Sequence, residues 1–253
     1  MLENFKKAMA ANPDGIVIMG HPGDESYKPF IDQAIEKGIK VTSIDTDVPK
    51  SMQTHRKSGF GYAGPIHYTR GKALALEAIS RFKLGKGNKA FVWGLLNEPS
   101  RGLSSKAIID TLEAAGIKVD YLEISPEVNK ITSLGTPVIK KYLQENPDCD
   151  LVVMDHGGLT GQIENFLKAA RVNPDDIHAI GFSLSPGTIS GIKKGYVDMS
   201  GDVQPFVFGY LGVVQIVMAQ KFGFSGFVVD TGLSFVDQSN INQIIKLVER
   251  EIR

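Results

Sequence analysis

A single cysteine, Cys149, stands among the 253 residues, so the chain can form no internal disulfide and no cysteine cage for a metal. That suits the cytosol, and equally an exported protein that needs no bridge. A surplus of one charge is lacking too, since 28 basic residues cancel 28 acidic ones. No basic tail or stripe stands out, which makes nucleic acid and anionic membrane poor partners. The longest apolar runs, such as GIVIMG (15–20) and DLVVMD (150–155), are strand-sized. They fall far below the roughly 18 residues that cross a bilayer, so no direct membrane insertion is expected. The opening MLENFKKAMAANPDG carries Lys6 and Lys7 in a helix-like pattern with no apolar segment behind them, which is not a signal peptide. Nucleotide-phosphate signatures (G-x-G-x-x-G after a strand, G-x-x-x-x-G-K-[ST]) do not occur, nor do H-E-x-x-H or G-x-S-x-G, so no cofactor and no metal are expected.

What is present is an alternation. Short apolar, β-branched runs at 15–20, 39–45, 59–64, 89–94, 117–124, 150–155, 177–182, 196–203 and 227–230 predict strands. Helical periodicity fills Tyr27–Lys37, Tyr68–Phe82, Ser104–Ala115, Thr136–Glu145, Thr160–Ala170, Pro186–Lys194 and Phe206–Phe222, with a last helix from about Asn240 to Glu251. Ser185-Pro186 reads as an N-cap followed by proline at the first helical position. Gly38, Gly116 and Gly195 each follow a helical run and precede a strand, where a left-handed C-cap is wanted. Apolar strands separated by helices imply parallel sheets covered on both faces. The fold class is therefore α/β, doubly wound, and the length is near the point where one core gives way to two lobes.

In such sheets ligands sit beyond the carboxyl ends of the strands. The residues there are Gly20-His21-Pro22-Gly23, Asp45-Thr46-Asp47, Leu95–Gly102, Asp155-His156-Gly157-Gly158, Ser183–Pro186 and Asp202–Gln204. This polar, hydroxyl-rich set suits a neutral, polyhydroxylated molecule. Asp155 and His156 are adjacent, so in an extended segment they point to opposite sides and make a poor acid–base pair. A neutral His156 on a ligand hydroxyl and a structural His156 remain equal readings. Ser183 has no evident base near it in sequence, and Asp45 and Asp202 could equally cap backbone N–H groups. The stretch SGDVQPFVFGY (200–210) reads either as a solvated turn or as a crossing between lobes. An enzyme would need a base, a nucleophile or a metal cluster, and only Asp155-His156 offers one, so no enzymatic activity is expected.

Four stretches carry a resemblance to a known family: PDGIVIMG with GIKVTSID, then DCDLVVMDHGGLTGQIENFLKAA, IHAIGFSLSPGTISGIKKGYVDMSGDVQP and FGYLGVVQIVMAQKFG. Together they resemble the type I periplasmic binding proteins of sugar ABC importers, the ribose-binding group, in order along nearly the whole chain. The resemblance implies two Rossmann-like lobes joined by a three-strand hinge, with crossings near Ala63–Pro65, Gln204-Pro205 and Thr231–Leu233. Lobe one is then 1–64 plus 205–231 and lobe two 65–204 plus 232–253. It also implies that the β-α-β unit with which relatives begin is missing. The strand at Gly15–Gly20 is then left with an open edge, and Met1 is a truncated or misassigned start.

The resemblance further implies a ligand set of Asp45, Arg101, Asp155, His156, Ser183, Asp202 and Gln204. Trp93, Phe182, Phe60 and Tyr62 are candidates to stack on a sugar ring, each more plausibly core. His156 stands where many relatives have Asn, Ser183 where they have Asp, and Val203 where they have Gln. Each lost hydroxyl partner is worth roughly 0.5–1.5 kcal/mol, which Asp202 or Gln204 would offset. The implied role is an extracytoplasmic or periplasmic solute-binding subunit that captures a small sugar between its lobes and delivers it to an ABC permease. It would be a monomer, with dimerisation through the open sheet edge as the alternative state. The alternative function is the effector-binding domain of a sugar-responsive transcription regulator.

Overall fold

The computed structural model describes residues 1–250 and 252. Its contacts divide into two compact units, one made of Met1–Ile66 and Gln204–Gly232, the other of His67–Val203 and the chain from Leu233 onward.

The first unit opens with α1 (Leu2–Ala10), β1 (Gly15–Met19), α2 (Asp24–Glu36), β2 (Lys40–Ile44), α3 (Pro49–His55) and β3 (Tyr62–Gly64). The second begins with α4 (His67–Phe82), β4 (Lys89–Gly94), α5 (Gly102–Ala114), β5 (Lys118–Glu123), α6 (Pro126–Lys130) and α7 (Thr136–Glu145). It continues through β6 (Leu151–Met154), α8 (Gly157–Thr160), α9 (Ile163–Ala170), β7 (His178–Phe182), α10 (Pro186–Lys193) and β8 (Met199–Asp202). The chain returns to the first unit for α11 (Pro205–Phe222) and β9 (Val228–Asp230), then ends in the second with β10 (Ser234–Val236) and α12 (Ile241–Val248). Glu251, the expected end of that last helix, lies outside the described residues.

The first unit holds a parallel sheet of order β1-β2-β3-β9, with β1 at one edge. Alternate side chains of β1 go to opposite faces, as the period of two requires. Ile16 and Ile18 join Phe5, Met9, Tyr27 and Ile31 in a cluster under α1 and α2, while Val17 faces α11 across Gly212. The second unit holds six strands ordered β10-β8-β7-β6-β4-β5, parallel except for β10 against β8. β4 and β6, neighbours at the centre, are buried at every position, as a strand covered on both faces must be.

Local chemistry places the boundaries. Ser185 caps α10 by accepting from the Thr188 amide at 3.1 Å. Gly38, Gly116 and Gly195 have φ of 81°, 80° and 79°, the left-handed region in which a side chain is strained. α11 covers the expected helix Phe206–Phe222 with one residue more at its start. Its length and composition alone suffice to cross a membrane, although Gln215 interrupts the apolar run. Phe208, Gly212, Gln215 and Ala219 are its buried positions, and it packs on β1, β2 and β3.

Candidate functional site at the strand ends of each unit

In the second unit the sheet order reverses between β4 and β6, with β5 on one side and β7 on the other. Such a switch point is where doubly wound sheets bind ligands. Asp155, directly after β6, has only 1% of its side chain exposed. Its carboxylate accepts from Ser104 Oγ at 2.9 Å, Ser105 Oγ at 2.6 Å and Arg70 Nη2 at 3.4 Å. Gly94 makes the approach of α5 possible, because a Cβ there would sit 2.2 Å from Ser105 Oγ. Burial raises the Asp155 pKa above the usual carboxylate range, opposed by the Arg70 charge and the two hydroxyls. The carboxylate, expected as a sugar ligand, is engaged here with Ser104, Ser105 and Arg70.

Those neighbours include Arg70, in the first turn of α4. Its guanidinium lies 4.4 Å from the Phe182 ring centroid and donates through Nε to Ser104 Oγ at 3.3 Å. Arg101 is arranged otherwise. It forks onto Glu98 through Nε at 2.7 Å and Nη2 at 2.8 Å. His156 follows Asp155 and precedes α8. Its Nδ1 is buried without a hydrogen-bond partner among the described residues. Burial pushes its pKa below the usual imidazole range and the Arg101 charge acts in the same sense, so the ring is neutral at pH 7. Ser183, after β7, holds φ at 81°. Its amide donates to Gly201 O at 2.8 Å and its carbonyl accepts from Ser200 Oγ at 2.8 Å. Asp202 closes β8 and is 1% exposed.

In the first unit Asp45 follows β2 with φ of 61°. Its Oδ2 lies 2.8 Å from His21 Nε2, at the end of β1, and both side chains are about a quarter exposed. The close packing depends on Gly64, where a Cβ would come within 2.7 Å of the Asp45 amide nitrogen. Tyr62 donates its hydroxyl to Asp45 O at 2.9 Å and Pro65 O at 2.8 Å. Gln204 has φ of 56° and donates Nε2 to Thr231 O at 3.1 Å. Asp45, Ser183 and Gln204 are thus three non-glycine residues held left-handed at strand ends, the kind of backbone strain that collects at functional sites.

The four aromatic candidates are all interior. Trp93 packs with Phe91 and Phe166 and fills the space beside Gly135. The expected stacking of Trp93 on a ligand is therefore corrected, since its ring has no open face. Phe60 and Tyr62 are buried, and Phe182 carries Arg70 on its ring. Sequence reasoning missed the parts played by His21, Glu98, Ser104, Ser105 and Arg70. His21 stood at a strand end, but nothing local marked Arg70, which meets Asp155 across 85 positions of chain. Among the described residues no group of three or more His, Cys, Asp or Glu could hold a metal.

Known proteins share this fold. The xylose/arabinose-binding protein XylF of Sulfolobus acidocaldarius is 26% identical over 256 residues, covering 95% of this chain and 61% of that protein. The chain thus spans under two thirds of that relative's length. An ABC transporter solute-binding protein from Burkholderia graminis, solved with D-arabinose, superposes with a TM-score of 0.81 at 22% identity, covering 94% of this chain and 80% of that one. A LacI-type transcriptional regulator from Bacteroides fragilis reaches a TM-score of 0.74 at 15% identity, covering 95% and 81%. At those identities the two structures speak for the fold. The family description "periplasmic binding protein domain" matches residues 1–223, and the chain belongs to that family.

Proposed function

We propose that the chain is the solute-binding subunit of an ABC importer. It takes up a small neutral sugar through strand-end polar residues and delivers it, outside the cytoplasm, to a membrane permease. The observation that carries this reading is the chemistry of those faces. They offer hydroxyls, carboxylates, a neutral imidazole and amides, with both arginines already paired to carboxylates, Arg70 to Asp155 and Arg101 to Glu98. A phosphorylated sugar needs a spare cation and a neutral polyol does not. Xylose and arabinose, which the archaeal relative is named for, supply the ligand class. Likeness to the LacI-type regulator rests on fold alone and does not favour an effector-sensing role.

The test is a thermal-shift screen of the chain against D-xylose, L- and D-arabinose, D-ribose, D-allose, D-glucose, D-galactose and myo-inositol. A ligand at about 100 times its Kd adds roughly 2.7 kcal/mol of stability, and one or two sugars are expected to raise Tm accordingly. A cooperative melt that no sugar shifts would sink the reading.

A further inference from the structure

The two guanidiniums of the second unit are used differently, and the difference assigns a role. Arg101 spends Nε and Nη2 together on one carboxylate, Glu98, in its own loop. Arg70 is seated from three sides instead. Phe182 lies beneath its plane at 4.4 Å, Ser104 takes Nε at 3.3 Å and Asp155 takes Nη2 at 3.4 Å. Two of its five N–H groups are accounted for by these bonds. The remaining three belong to a planar fork whose orientation is set by a ring and a buried carboxylate. The seat is made of Phe182, the last residue of β7, and Asp155, the first residue after β6. Their successors are Ser183 and His156, both among the strand-end polar groups. Ser104 and Ser105, on α5, fasten the same carboxylate at 2.9 and 2.6 Å, and only 12% of the Arg70 side chain is exposed. A fork half-fixed by a ring and a buried carboxylate, with three donors left over, is what recognition of two neighbouring hydroxyls requires. An arginine needed only to neutralise Asp155 would have no use for the aromatic seat.

We infer that Arg70 is the guanidinium of the second unit that binds the ligand, donating to a vicinal diol of the sugar, with Asp155 as the positioning residue that holds it. This rests on the reading of the chain as a sugar-binding protein. It moves the ligand-facing arginine from Arg101 to Arg70 and makes the diol's configuration the property Arg70 selects.

The experiment is a cycle between protein and ligand. The sugar of the panel above that the full chain binds most tightly is titrated calorimetrically, together with each of its monodeoxy analogues, against the parent protein and Arg70→Lys. In the parent, loss of either diol hydroxyl weakens binding about ten- to a hundredfold, the usual scale for a charge-assisted hydrogen bond. In Arg70→Lys the intact sugar binds at least about tenfold more weakly, and the same deoxy substitutions now cost less than about threefold. Arg81→Met, on the same helix and paired with Glu77 and Asp237, leaves Kd unchanged. If Arg70→Lys melts early, the neutral pair Arg70→Met with Asp155→Asn removes both buried charges at once and enters the same cycle. Full deoxy penalties persisting in these variants would overturn the assignment while leaving sugar binding intact. A parent protein that binds none of the sugars would overturn the sugar-binding reading and this inference with it.

Discussion

The six-stranded sheet of the second unit carries a buried cluster on each face. Phe91, Trp93, Met154 and Phe166 belong to one, and Leu74, Ile108, Val153 and Ile180 to the other. The four-stranded sheet of the first unit has one such cluster, between it and α1 and α2. Its opposite face is met by α11 through the small residues Gly212 and Ala219. Buried apolar area is what offsets the entropy of ordering a chain. A sheet with one deep face and an edge strand, β1, paired on one side only is therefore the weaker of the two structures. The polar chemistry follows the same division. The strand-end carboxylate of the second unit is fully internal, whereas the Asp45–His21 pair of the first is a quarter exposed.

The largest effects should come from testing that inequality. Trp93 is the only tryptophan and sits in the second unit's core, so its fluorescence reports that unit, while far-UV circular dichroism reports both. In a urea titration the dichroism change is expected to begin before the fluorescence change. Phe166→Ala should lower the fluorescence-reported stability by about 3–5 kcal/mol, and Ile31→Ala should lower the early transition by about 2–5 kcal/mol while leaving the fluorescence midpoint in place. Coincident transitions in the parent and in both variants would show one cooperative unit and break the comparison.

The sequence makes the strands and longer helices of both units legible, for physical reasons. Nine strands and the doubly wound class follow from apolar runs of strand length between helical stretches, since parallel strands are apolar throughout. β10 was invisible because SFV is only three residues long and is partly exposed. α3 was invisible because PKSMQTH buries Ser51 alone and so has no apolar stripe. The single helix expected over Thr160–Ala170 is instead α8 and α9, separated at Gly161, where a Cβ would lie 2.5 Å from Ser185 Oγ. The rule of strand ends located Asp45, Asp155, His156, Ser183 and Asp202. It could not show which of them face inward, because β4 and β6 are buried on both sides and carry no periodic signal. Nor could it find Arg70, whose role exists only once α4 is laid against β6 and β7.

Charge sharpens the comparison at an intermediate scale. Glu164, on α9 of the second unit, is surrounded by Lys168 Nζ at 2.5 Å, Lys194 Nζ at 2.8 Å and Ser190 Oγ at 2.7 Å. Burial pushes its pKa up, but the two lysines and the serine outweigh it and bring the carboxyl down to about 2. A folded pKa below the unfolded value of 4.5 stabilises the fold above pH 4.5. That stability is lost as pH falls from 4.5 towards 2. Both lysines are about half exposed, so screening leaves roughly 1–2 kcal/mol. Glu164→Gln should remove that much at pH 7 in the fluorescence-reported transition and flatten its acid limb. An unchanged acid limb would assign the acid sensitivity to other carboxylates. Below this comes the α10 cap, where Ser185→Ala deletes the bond to the Thr188 amide. It should cost about 1 kcal/mol in the same transition.

The smallest effect is expected on α11 of the first unit, and its smallness is informative. Phe206, Tyr210, Val213 and Val217 recur at spacings of four, three and four, and form an exposed apolar stripe opposite the buried positions Phe208, Gly212, Gln215 and Ala219. An exposed side chain contributes little to folding whatever its polarity, and surface substitutions usually stay within about 0.5 kcal/mol. Val213→Ser, measured on the early transition of the urea titration, should therefore shift stability by less than about 0.5 kcal/mol at any protein concentration. A shift above about 1 kcal/mol that grows with protein concentration would mean that a second copy covers the stripe. The weakness of the first unit would then belong to the isolated chain and not to the assembled protein.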